Sequence, residues 1–195
     1  MTSKQNLFDL PACKLGKNEK MFRTFQTYKS IVRNLEEADA QINYVNQLKM
    51  LVKDGNSDGD HTKLYLANAS LMYAVIIYSR WFKSTESKLR LSCLDFFAEN
   101  SNALNTHNYI INLRDKSLAH NQDDLIESDL IFAHFDEHQN CIRITSDSKK
   151  TLLLADKKIE GFQECIQTIL HKINSDNLPS FERKILNIIS PRRTD

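Results

Sequence analysis

The sequence predicts an all-α fold, an up-and-down helical bundle with a small β-hairpin or meander inserted before its penultimate helix. Three observations carry this. Apolar residues recur at steps of three and four over long stretches. Glycine and proline are scarce, four and three in 195 residues, and Pro11, Pro179 and Pro191 leave no proline between Ala12 and Leu178. Only between about residues 130 and 154 does the period change to the alternation of strands.

The first helix reads from Phe25, Tyr28, Val32, Leu35, Ala38, Ile42, Val45, Leu48 and Val52, one continuous amphipathic stripe. Residues 1–17 precede it as an N-terminal arm. It stops at the polar loop Asp54-Gly55-Asn56-Ser57-Asp58-Gly59-Asp60, and a second helix, apolar on most faces, covers about Thr62 to Lys83. Ser84-Thr85-Glu86 breaks it. A third segment spans Lys88 to Glu99, and Ser101 or Asn102 caps a fourth helix running to about Ala119. Leu130 to Phe135 and Cys141 to Thr145 read as strands, with Thr151 to Leu154 as a candidate third. Helix resumes after Asp156, with Ile159, Phe162, Ile166, Ile169 and Ile173 on one face, and a short last helix covers Phe181 to Ile189 before the basic Arg192-Arg193 tail. There is no internal repeat, and the chain reads as a single domain.

Composition narrows the function classes. The apolar fraction is 41%, the charged fraction 26% and the net charge +1, as in an ordinary folded protein with enough chain for a full core. Cys13, Cys93, Cys141 and Cys165 are widely separated and form no CxxC pair, which argues against a zinc site or a disulfide scaffold and for a reducing compartment. With a polar N-terminus and no apolar run longer than Leu71 to Tyr78, the expected location is the cytoplasm, with no membrane contact. Charge is unevenly spread. Residues 14–33 are rich in Lys and Arg, whereas between Lys116 and Arg143 there are six acids and no Lys or Arg, so a polyanion is confined to the basic side.

Candidate sites are few. The Asp54–Asp60 loop opens like a calcium loop, but its twelfth position is Tyr65 where a bidentate glutamate belongs, and the same residues make a plain turn. His134 and His138 flank a strand and turn, where a four-residue spacing does not bring side chains together. No phosphate-binding or nucleophile-elbow motif occurs, and no cofactor is expected. The sharp signal is Tyr109-Ile110-Ile111-Asn112-Leu113-Arg114-Asp115-Lys116-Ser117-Leu118-Ala119-His120. It sets an obligate cation, a carboxylate, a lysine and a titratable imidazole close together. Cleavage of RNA by its own 2′-hydroxyl needs a proton carrier and a stabiliser for the phosphorane, and these groups supply both. Partnering the carbonyls at a helix end is the other role open to Arg114 and His120. Residues six apart sit about 120° from each other around a regular helix. The two converge if the helix ends between them or if a second copy of the chain completes the site.

Arg114, Asp115 and His120 resemble the R-x(4–6)-H signature of HEPN domains. The surroundings, Tyr78-Ser79-Arg80-Trp81-Phe82 at the end of an apolar helix and His107 ahead of the Leu113–Lys116 turn, are also similar to that family. The resemblance implies a symmetric homodimer and metal-independent endoribonuclease activity in toxin–antitoxin or anti-phage defence, with RNA and an antitoxin or other defence protein as partners. It makes Arg114 and His120 catalytic and Asp115 their polar support, with Lys116, Arg80 and His107 as candidate substrate contacts. Some HEPN-like domains are instead non-catalytic dimerisation or binding modules, and that is the alternative expectation.

Overall fold

The computed structural model describes residues 16–53, 60–83, 89–119, 128–135, 141–149 and 156–189. It is mostly helical. A short 3₁₀ turn, Gly16–Asn18, leads into α1 (Glu19–Lys53), followed by α2 (Asp60–Ser79), a single helical turn α3 (Leu94–Phe97) and α4 (Ser101–Ala119). Two extended segments, β1 (Ser128–Phe135) and β2 (Cys141–Lys149), pair antiparallel with Ser128 opposite Lys149 and His134 opposite Arg143. Then come α5 (Asp156–Lys172), a π turn (Ile173–Asn177) and α6 (Leu178–Ile189). The Asp54–Ser57 and Asp58–Gly59 part of the candidate calcium loop, His120, His138 and the Thr151–Leu154 segment lie outside the described residues, as does nearly all of the expected N-terminal arm.

The α1 stripe forms because residues at steps of three and four share one side of a helix. Ile31, Leu35, Ala38, Ile42, Val45 and Leu48 are all buried, with Phe25, Tyr28 and Val32 packed at the margin. Its main partner is α2, and α5 closes against both α1 and α4. The expected α5 face is buried throughout: Ile159, Phe162, Ile166, Ile169 and Ile173 are at most 1% exposed. Gly161 lets α5 approach α4, since a Cβ there would stand 3.1 Å from the Thr106 Oγ1.

Four sequence expectations need correction. The second helix ends at Ser79 rather than Lys83, and the chain turns through Arg80–Lys83 with the tight bond Phe82 N–H to Ser79 O, 3.1 Å. The third segment is helical only over Leu94–Phe97. Upstream of it the Leu91 N–H bonds the Trp81 carbonyl at 2.8 Å, so this stretch is tied to the Arg80–Lys83 turn rather than coiled on itself. The α4 cap is Asn100, whose Oδ1 accepts from the Ala103 N–H at 3.0 Å, not Ser101 or Asn102. The last helix starts at Leu178, with no break before it. The Leu178 N–H reaches back to Ile173 O, and this wider turn admits Pro179, which has no N–H to offer the ladder.

Candidate active site

α4 faces the core with Ala103, His107, Ile110 and Leu113, all buried. Its next residues, Arg114 and Asp115, stand at the edge of that face, their side chains 33% and 39% exposed. Arg114 Nη1 donates to Asp115 Oδ1 at 3.0 Å. The other carboxylate oxygen accepts from Lys83 Nζ, brought over by the turn after α2. One carboxylate thus sits between two cations. The Lys83 hydrogen bond, and then the Arg114 one, hold the Asp115 carboxyl below the ordinary range. Asp115 is therefore a fixed anion near neutrality and cannot carry protons there; it orients Arg114. The cluster keeps an excess positive charge at a solvent-facing edge, as a phosphate site requires.

Sequence reasoning missed Lys83. It lies 32 residues from Asp115, and only the packing of α2 against α4 brings the two together. The Lys116 side chain and His120 fall outside the described residues. α4 is helical through Ala119, so regular geometry persists up to the residue before His120. Arg80 is exposed, and its guanidinium lies 5.7 Å from the Trp81 ring centroid, in the same turn as Lys83.

His107 is the site residue the structure relocates. It is 4% exposed and lies within an aromatic cage, its ring centroid 4.4 Å from Phe82, 5.5 Å from Phe97 and 5.8 Å from Tyr78. Its Nδ1 is 2.8 Å from the Tyr78 hydroxyl. Seven residues before Arg114 does put His107 on the same side of α4, but that side faces the core. Burial lowers its pKa from 6.5 to about 4, so the ring is neutral at pH 7 and touches no solvent-borne substrate. The repeat of buried positions at 103, 107, 110 and 113 was the signal that marks it as interior.

Among the described residues no three His, Cys, Asp or Glu side chains gather as a metal site would need, and no helix is long and apolar enough to cross a membrane. Comparison with known proteins gives no match to a family model, to a curated protein or to a solved structure.

Proposed function

We propose that the chain is a HEPN-like endoribonuclease, its helical bundle carrying the extended pair as an insertion. The observation that carries this reading is the presentation of Arg114 at the edge of α4, clamped by Asp115 and backed by Lys83, in the helix that leads into His120. In the proposed reaction the 2′-hydroxyl oxygen attacks the adjacent phosphorus and the bond to the 5′-oxygen breaks. The 2′-hydroxyl proton leaves and the departing 5′-oxygen gains one, both through His120, giving a 2′,3′-cyclic phosphate and a 5′-hydroxyl. Arg114 holds the phosphoryl oxygens through the charge build-up, and Asp115 and Lys83 keep its guanidinium in place. A toxin or anti-phage effector in the cytoplasm, restrained by an antitoxin or another defence protein, is the setting that suits such an activity.

Side chains supply both catalytic roles in this scheme, so cleavage of a labelled RNA by the purified protein is expected to persist in excess EDTA. Loss of cleavage on chelation, restored by magnesium or manganese, contradicts it.

A homodimer belongs to the proposal. Arg114 and His120 are six residues apart, about 120° around a regular helix, and a twofold axis would bring the two groups together from different copies. Sedimentation equilibrium at micromolar concentration is expected to give twice the 22.6 kDa chain mass, and a clean monomer removes the composite site.

One observation favours a second reading, a non-catalytic interaction module. Tyr65, Leu66, Tyr73 and Ile76 are exposed, Tyr65 by 74%, and fall within an arc of about 100° on the outer side of α2. An apolar stripe of this kind marks a protein contact more often than a catalytic surface. Cleavage that depends on His120 separates the readings, because a module has no use for it.

A further inference from the structure

The Arg80–Lys83 turn has a second face. On one side Lys83 reaches Asp115; on the other, Arg80 and Trp81 form a groove of about 280 Å³ against α1, where Ser30, Arg33 and Asn34 complete the wall. No acidic side chain lines it. Two other basic residues of this half of α1 have acidic partners, Arg23 with Glu19 at 2.6 Å and Lys29 with Glu182 at 3.4 Å. Arg33 and Arg80 make no ion pair among the described residues. The hydroxyls of Thr27 and Ser30 donate back to the Arg23 and Gln26 carbonyls at 2.8 and 3.1 Å, which leaves the guanidiniums as the groove's strong donors.

The frame behind those donors is fixed. Trp81 is 5% exposed and its carbonyl is bonded by the Leu91 N–H, while the Arg90 side chain holds the Phe82 carbonyl at 2.9 Å. Arg80 lies by the ring of this anchored tryptophan, whose own Nε1 is buried with no acceptor among the described residues. A donor-rich, acid-free groove with two guanidinium forks matches an acceptor-only ligand, and phosphate oxygens accept from such forks in pairs.

We propose that this groove holds a backbone phosphodiester of the same RNA strand whose scissile phosphate lies at Arg114. The inference rests on the ribonuclease reading and deepens it. Arg80 of the groove and Lys83 of the Asp115 clamp are three residues apart on one turn of chain, close enough for one strand to reach both. Contacts of this kind fix the position of the strand and carry no sequence preference.

The test uses a fluorescein-labelled 2′-O-methyl RNA, which cannot be cut, titrated by anisotropy at several salt concentrations. Each phosphate neutralised on a single strand contributes about 0.7 to the slope of log affinity against log salt. Arg33→Ala/Arg80→Ala is expected to bind more weakly and to lower the slope by roughly 0.7, the share of the one phosphodiester held there. Arg33→Lys/Arg80→Lys keeps the charge and is expected to retain most of the slope. Both positions are exposed, so all three proteins are expected to melt alike. Wild-type affinity and slope in the double alanine variant overturn the groove, and so does a wild-type protein that binds no strand. If the alanine variant binds normally while the wild type cleaves ordinary RNA, the groove falls and the ribonuclease stands. If the wild type binds through these arginines yet cuts no RNA, the groove stands and the ribonuclease falls.

Discussion

Arg114→Ala is expected to slow RNA cleavage by ~10²–10³-fold, the loss seen when one preorganised charge-stabilising donor is removed from a transition state. The same change is expected to leave the melting temperature almost unmoved. Arg114 is one-third exposed, and its ion pair with Asp115 is of the solvent-facing kind, which typically adds about 0–1 kcal/mol or less. Arg114→Lys retains the charge but not the planar fork, and its rate is expected to fall between the two. If Arg114 instead serves to finish α4, the order reverses: the alanine variant melts clearly lower and cleavage, measured where it is still folded, stays near wild type. Steady-state rates and thermal melts on the same purified proteins separate the two outcomes.

The second large effect concerns acid. His107 is neutral in the fold with its pKa near 4, against 6.5 for a free ring. Between those values the unfolded chain binds a proton that the folded chain refuses, so stability rises with pH across this window and is lost as pH falls through it. Each pH unit is worth about 1.4 kcal/mol, which makes the full loss roughly 3 kcal/mol, a large part of the stability of an ordinary domain. Urea unfolding at intervals from pH 7.5 to 4.5 is expected to show this decline and to show it flattened in His107→Leu. That variant also starts lower, because the Tyr78 hydroxyl, 2.8 Å from the imidazole, loses its partner inside the core. A His107 ring-proton resonance that titrates near 6.5 in the folded protein contradicts the buried, neutral assignment.

The regular helices were legible because each is dictated by its own residues. The apolar stripes of α1 and α5 report a period that no distant contact has to supply, and their buried faces follow it. Lys88 to Glu99 was misread because Leu91, Leu94, Phe96 and Phe97 have helix-like spacing. Leu91 is nonetheless buried from a non-helical backbone, which the Trp81 carbonyl and the Arg90 side chain fasten to the preceding turn. The last helix reads only from Phe181 in the sequence, but a π turn admits Pro179 and carries the helical backbone on from Ile173 without interruption.

At the candidate site the sequence shows the chemistry-bearing residues and hides their partners. Arg114 and Asp115 are neighbours on the chain, so their pairing is local. Lys83 joins them only through the packing of α2 and α4, a contact that no local pattern encodes. His107 looked like a site residue because charge and titratability draw notice, while the interval that sets it among Ala103, Ile110 and Leu113 marks it as core.

The central claim is that His120 moves the protons of RNA cleavage, and the most direct measurement compares His120→Ala with the wild type on one labelled RNA in EDTA. The account expects fragments ending in 2′,3′-cyclic phosphate from the wild type and a rate lower by ~10²–10⁴-fold from the variant, the range typical of a general acid–base group. Cleavage by His120→Ala at the wild-type rate would contradict it.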